Sequence, residues 1–77
     1  MTRLQKIREA AGLTQTRLGA LAMIHPGAIS KIEHRKQPCW PALRKRICEV
    51  LQVQESELFD QEGWAIEVRS SARRNPR

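Results

Sequence analysis

Apolar residues along most of the chain recur at intervals of three and four, which is the spacing of helices that bury one face. The pattern predicts five helices, over residues 3–11, 15–22, 26–33 and 41–51 and over a single turn at 55–59. Thr2 and Thr14 precede the first two helices and suit the capping position at a helix N-terminus. Gly12 suits the end of the first helix. The sequence therefore predicts a compact all-α domain.

The third helix begins with an unusual run, His25, Pro26 and Gly27. Proline suits the first helical position, because the N–H that it lacks would have no partner there. We expect His25 to cap this helix, with a neutral ring nitrogen accepting a backbone N–H. Gly19 lies inside the second helix, where glycine costs about 1 kcal/mol relative to alanine. A close approach by another helix would explain it.

The spacing of apolar residues changes at the end of this domain. Trp64, Ile66 and Val68 alternate with smaller or polar residues, and a period of two predicts a short strand. We therefore divide the chain into a domain over residues 1–63 and a C-terminal extension over residues 64–77. The strand would pair with its copy in a dimer and bury the tryptophan. Alternatively, the segment folds back on its own core or is frayed.

The charge of the chain is unevenly distributed. The net charge is +6, and residues 1–37 hold seven Lys and Arg against two acidic residues. Arg73, Arg74 and Arg77 make the end of the extension basic as well. A basic front and tail favour an anionic partner such as nucleic acid. The tail arginines would follow phosphates or enter a minor groove, unless the tail serves only solubility.

Several other classes of protein are disfavoured. Cys39 and Cys48 are nine positions apart, as are His25 and His34, and neither spacing is that of metal ligands. We expect no metal and no cofactor, and Cys48 as a small buried thiol. No grouping of catalytic side chains stands out, so we predict that the protein is not an enzyme. No apolar run spans a membrane, and a cytoplasmic protein is expected.

The residues that define the five helices also carry a resemblance. They are Leu13, Thr14, Gln15, Leu18, Ile24, Ile29, Ser30, Ile32, Glu33, Pro41, Leu43, Ile47, Leu51, Val53, Leu58 and Phe59. This pattern resembles the Cro and repressor type of helix-turn-helix protein, also called Xre-like, over about residues 3–60. The resemblance implies a five-helix, lambda-repressor-like domain that binds operator DNA, usually as a two-fold dimer. Met23 and Arg35 depart from it, because glycine is frequent at both positions, and at the position of Met23 it usually has a left-handed backbone.

In folds of this type the second helix lies across the DNA backbone, and the third enters the major groove by its N-terminal end. The resemblance then implies a base-reading face of Pro26, Gly27, Ala28, Ser30 and Lys31. It implies phosphate contacts by Thr14, Gln15, His34, Arg35 and Lys36, with simple solvent exposure as the alternative for Arg35. Arg8 and Glu33 match a structural ion pair of related proteins.

Few of these side chains can read a base directly. Pro26 and Gly27 offer no side-chain donor, and Lys31 is the one strong donor, best matched to guanine O6 and N7. We therefore expect specificity to depend on Lys31, on apolar contacts and on DNA shape.

The sequence thus predicts a transcriptional regulator that binds double-stranded DNA. We expect a repressor or autoregulator of the phage or mobile-element type, which binds a palindromic operator as a homodimer through residues 26–33. The alternative is an antitoxin-like module whose C-terminal tail holds a second protein. A basic architectural or RNA-binding protein without sequence preference is a third interpretation.

Overall fold

The computed structural model describes residues 1–68. Its α-helices, numbered in chain order, are α1 Arg3–Ala10, α2 Gln15–Ala22, α3 Pro26–Glu33, α4 Pro41–Leu51 and α5 Glu55–Leu58. The predicted all-α class and the five helices are therefore confirmed, and each predicted boundary is correct to within one residue. The expectations for Arg73, Arg74 and Arg77 lie outside the described residues. In the described part, no helix is both long and apolar enough to cross a membrane.

The helix ends follow local side-chain chemistry. The hydroxyl oxygens of Thr2 and Thr14 accept the backbone N–H groups of Gln5 and Arg17, at 3.4 and 3.0 Å. Each threonine thereby satisfies one of the N–H groups that the first turn of a helix leaves without a partner. Both caps were predicted from the sequence.

Within residues 1–68, three residues other than glycine have a left-handed backbone: Met23 (φ 59°), Arg35 (φ 56°) and Gln52 (φ 58°). Met23 and Gln52 end α2 and α4, and Arg35 follows α3. The resemblance indicated this backbone at Met23, but it did not do so at Arg35 or Gln52. A side chain with a Cβ adopts this region at some cost, so the packing on either side must impose these turns.

One hydrophobic core joins all five helices. Its fully buried aliphatic side chains, each with 0% exposed surface, are Leu4, Leu18, Ile29, Ile32, Ile47 and Leu58. Burying one such side chain stabilises the folded state by about 1.5–3 kcal/mol. In a domain of this size the core is small, so each of these residues carries a large share of the stability.

The segment over residues 64–68 folds back on the domain. The N–H of Arg3 donates to the carbonyl of Ile66 and the N–H of Val68 to that of Met1, both at 2.8 Å, and the N–H of Ile66 donates to Leu58 at 2.9 Å. Ala65 is fully buried. Of the alternatives given for this segment, the structure shows the one in which it folds back on its own core, and the segment packs as part of the domain.

The predicted strand over this segment is reduced to isolated pairings. In residues 1–68 the β pairing consists of two single antiparallel bridges, Thr2 with Glu67 and Phe59 with Ala65. Trp64, Ile66 and Val68 stay half-buried, because the small Ala65 turns towards the core instead. Glu67, on the same side as Ala65, is exposed, so Ala65 is the fully buried residue of this segment.

Gly19 is explained by a backbone contact. A Cβ at this position would lie 2.4 Å from the carbonyl oxygen of Ile24 and 3.4 Å from the nitrogen of Pro26. The close approach expected at Gly19 therefore exists, and the turn after α2 makes it together with the first residue of α3. The N–H of Ile24 also donates to the carbonyl of Gly19 at 2.8 Å.

We expect Gly19→Ala to lower the free energy of unfolding by about 1–3 kcal/mol, because a backbone oxygen cannot move aside as a side chain can. Helix propensity alone predicts the opposite sign, a gain of about 1 kcal/mol. Urea unfolding of the purified protein measures the difference. Ala20→Ser, at the exposed neighbouring position, should change stability by about 0.5 kcal/mol or less. A stabilised Gly19→Ala variant would contradict the explanation.

Both cysteines are buried free thiols, as expected for Cys48. Burial raises the pKa of Cys39 to about 12 and that of Cys48 to about 11, from an ordinary value of 9.0. These pKa values are raised in the folded state, so each buried thiol contributes to the free energy of unfolding. This contribution is fully present below pH 9.0 and is lost as pH rises towards about 11 and 12.

At about pH 8 we expect both thiols to react slowly with iodoacetamide in the folded protein, because the thiolate is the nucleophile. Mass spectrometry against time measures the reaction, with the protein in urea as the matched control. Equal rates in the two conditions would show that the thiols are not protected by folding.

Candidate nucleic-acid interface

The helices α2 and α3 form one closely packed unit with a short turn, residues 23–25. Ile24 points into the core from the middle of this turn, with 7% of its surface exposed. Ile29 and Ile32 hold the inner face of α3 against the core. The opposite face of α3 is left towards solvent. It holds the predicted base-reading residues except Ala28, which is half-buried and packs against the core.

The N-terminus of α3 is capped by His25, as predicted. Its Nδ1 accepts the backbone N–H of Gly27 at 2.9 Å, and Pro26 occupies the first helical position. A Cβ on Gly27 would lie 3.1 Å from Nδ1 and 3.3 Å from Cε1 of this ring. The imidazole therefore lies against the first turn of α3, in space that a side chain at position 27 would restrict.

The proposed base-reading residues differ in exposure. Lys31 is exposed, whereas Pro26, Gly27, Ala28 and Ser30 are half-buried. The main charged donor on this face is thus Lys31. The small residues before it allow a flat surface such as a base edge to come close to the helix backbone.

A buried ion pair connects α1 with the end of α3. The guanidinium of Arg8 donates from Nε to Oε2 of Glu33 at 2.6 Å and from Nη2 to Oε1 at 3.2 Å. Its Nη1 also donates to the carbonyl of Leu13 at 2.6 Å. The Glu33 side chain is 0% exposed and that of Arg8 8%. The two residues that the resemblance paired are therefore together, in a two-bond arrangement that fixes their orientation.

Gln15 extends this cluster to α2. Its side-chain amide donates to Oε1 of Glu33 at 2.9 Å. Gln15 was predicted to contact phosphate, and in the structure one of its two N–H groups is already bound to Glu33. The contact orients the amide at the N-terminus of α2 and leaves the second N–H for another acceptor.

The first three residues after α3, His34, Arg35 and Lys36, are exposed. His34 Nδ1 lies 2.8 Å from the carbonyl oxygen of Ser30. Since a carbonyl only accepts, Nδ1 carries the proton, and Nε2 can donate to phosphate only when the ring is protonated at both nitrogens.

Nη1 of Arg35 lies 3.7 Å from Oε1 of Glu67, so its guanidinium is directed to the folded-back segment. Lys36 donates its backbone N–H to Lys31 at 2.8 Å.

A helix-turn-helix domain family model matches residues 2–59. The chain belongs to this helix-turn-helix family. Neither a curated protein nor a solved structure matches the chain. The matched residues include all five helices, and the five-helix architecture is that of a lambda-repressor-like fold. Membership of the family indicates a DNA-binding regulator.

In this helix-turn-helix protein, two contacts of the site are invisible to sequence periodicity. Arg46 of α4 donates from Nη1 to the carbonyl of Met23 at 3.5 Å, which supports the turn between α2 and α3. The bond from Gln15 to Glu33 is the other. Each joins residues far apart along the chain, so no local spacing could have indicated it. Within residues 1–68, no group of three or more His, Cys, Asp or Glu is placed to hold a metal ion.

We expect Glu33→Gln to destabilise the helix-turn-helix protein by about 3–5 kcal/mol, because it leaves the Arg8 charge buried without its partner. The double variant Arg8→Met with Glu33→Leu should lose much less than the two single variants summed, since it buries no charge. Urea unfolding measures the wild type, Glu33→Gln, the single variants Arg8→Met and Glu33→Leu, and the double variant.

The control for this cycle is Glu67→Gln, which removes the exposed partner of Arg35. An exposed pair contributes about 0–1 kcal/mol, so stability should barely change. Additive effects of the two buried substitutions would contradict the role given to the pair.

Proposed function

We propose that the protein is a sequence-specific transcriptional regulator that binds a palindromic DNA operator as a dimer, through α3 in the major groove. We further propose the role of a repressor and autoregulator of the phage or mobile-element type. The observation that carries the proposal is an α3 fixed at both ends, by the His25 cap and the Arg8–Glu33 pair, with its outer face open.

The distribution of charge supports an anionic partner for this surface. Of the two acidic residues within positions 1–37, Glu33 is buried against Arg8 and is neutralised there. The other, Glu9, lies 3.7 Å from the same guanidinium. Arg8 balances one of these two carboxylates, so one negative charge remains against the six other Lys and Arg of this half. A phosphate backbone is attracted to such a surface.

Each proposed contact has a chemical role. Lys31 would donate to guanine, and Ala28 offers a methyl group to thymine. The Thr14 hydroxyl accepts from Arg17 and keeps its own proton for a phosphate oxygen. The remaining N–H of Gln15, together with Arg35 and Lys36, would complete a clamp on the backbone, with His34 contributing when doubly protonated.

A dimer is proposed because one short helix covers too few base pairs for selectivity. Two copies of α3 spaced by roughly 34–36 Å would meet successive major grooves on one face of the duplex. Trp64, Ile66 and Val68 are the proposed dimer residues. Since the backbone of Ile66 already pairs within the chain, their contribution would come from half-exposed side chains and not from an added strand.

The experiment that tests the proposal compares binding to DNA upstream of the protein's own gene with binding to a scrambled duplex, over a range of salt. We expect the native duplex to bind about 100-fold more tightly, or about 2.7 kcal/mol, with two copies of the chain per site. Equal affinities with the same steep salt slope would mean that only phosphates are contacted. That result would favour a partner-binding role instead.

Two lysines on the same surface provide a matched pair of variants. Lys31→Ala should reduce the ratio of native to scrambled affinity, because the base contact is lost. Lys36→Ala should weaken both duplexes alike and lower the salt slope by about 1, because one phosphate contact is lost. Fluorescence anisotropy at several salt concentrations measures both effects. If Lys31→Ala weakened both duplexes equally, Lys31 would be assigned to phosphate.

A further inference from the structure

We propose that His25 is a base-reading residue, whose imidazole Nε2–H donates to the N7 atom of a purine in the major groove. This inference rests on the proposed function and adds to it a specificity-determining residue outside the face of Pro26 to Lys31. It follows from the cap of α3, which fixes the position of the proton on the ring.

The hydrogen bond at the start of α3 determines which ring nitrogen is protonated. The N–H of Gly27 can only donate, so Nδ1 of His25 must present a lone pair to it at 2.9 Å. In the neutral ring the proton is then on Nε2. His34 has the opposite arrangement, because its Nδ1 donates to Ser30. Of the two neutral histidines at the ends of α3, only His25 presents an Nε2 donor.

This donor is free and faces outward. The two nitrogens of an imidazole point in nearly opposite directions, so a ring that directs Nδ1 at the helix end directs Nε2–H away from it. The His25 side chain is exposed, and none of the hydrogen bonds within residues 1–68 involves its Nε2. The N-terminal end of α3 is the part that enters the groove in this docking mode.

Gly27 makes room for the ring. A Cβ there would lie 3.1 and 3.3 Å from two ring atoms, closer than ordinary contact. The imidazole thus replaces the side chain that position 27 lacks, and it supplies the donor that Pro26 and Gly27 cannot. Because the cap already holds the ring, little rotamer freedom is left to lose on binding.

The chemistry of the groove favours purine N7 as the acceptor. Adenine and guanine both present N7 there, whereas cytosine presents a donor and the thymine acceptor lies beside a methyl group. A single N–H cannot make the bidentate pair that selects guanine. We therefore expect a preference for purine over pyrimidine at one position of each half-site.

The test begins with a selected ligand, since the operator is unknown. The full chain selects duplexes from a pool with a randomised centre, and each purine of the best duplex is then replaced by its 7-deaza analogue, which lacks the N7 acceptor. At one position per half-site, we expect the wild type to lose about fivefold in affinity and His25→Ser to lose nothing. Serine is the matched replacement because it preserves a good cap.

A second variant addresses the position of the ring. Gly27→Ala moves the imidazole away from the helix end, and it should reduce the effect of the 7-deaza substitution in the wild-type background. In the double variant His25→Ser with Gly27→Ala, the 7-deaza substitution should have no effect on affinity. Circular dichroism and thermal unfolding verify that all variants are folded, so that a loss of discrimination is not a loss of structure.

Different results overturn different statements. If the 7-deaza substitution weakens the wild type and His25→Ser equally, another group contacts N7 and the inference is wrong. A second set of duplexes carries a methylphosphonate in place of one backbone phosphate. If this substitution weakens binding by the wild type but not by His25→Ser, the Nε2 donor binds phosphate and the inference is also wrong. A wild type that binds no duplex overturns the proposed function itself.

The protonation of the ring has a readout without DNA. A long-range ¹H–¹⁵N NMR spectrum of the free protein near neutral pH should show His25 protonated on Nε2 and His34 protonated on Nδ1. A His25 ring protonated on Nδ1 would overturn the inference whatever the binding data show.

Discussion

The buried Arg8–Glu33 pair is the interaction on which the geometry of the site depends. Its carboxylate receives two bonds from α1 and one from Gln15 of α2, while Glu33 itself ends α3. Three helices thus meet at one charge, in a domain whose hydrophobic core is too small to define every angle alone. A buried charge without its partners is strongly unfavourable, so the pair opposes any arrangement in which these helix ends separate. The position of α3 relative to α1 and α2 is therefore fixed by directional bonds as well as by packing.

Local chemistry explains why the helices could be predicted so closely. Thr2, Thr14 and His25 cap the three helices that follow them, and a cap acts within three residues of itself. The spacing of Ile29 and Ile32 likewise indicates the inner face of α3 without any knowledge of its neighbours. The left-handed turn at Met23 came from the resemblance and not from the residue, because methionine does not favour that backbone.

What the sequence did not indicate is non-local. The inward-facing residue of the segment 64–68 is Ala65, since the segment lies between the chain start and α5, where the larger residues of the same segment stay outside. The side chain of Gln15 was assigned only to DNA, because its bond to Glu33 joins residues 18 positions apart. The role of Gly27 depends on the ring of His25, which composition could not reveal. The Arg8–Glu33 pair, although distant along the chain, was accessible through the family pattern.

The contact between Gly19 and the Ile24 carbonyl has a consequence for motion. Because backbone meets backbone there, with no flexible side chain between, α2 and the start of α3 have no soft contact along which to slide. We therefore expect the two helices to move together, so that a mismatch with a curved surface would be accommodated by tilting both helices or by deforming the surface. In the proposed complex with DNA, the stiffness of the duplex would then become part of what the protein discriminates.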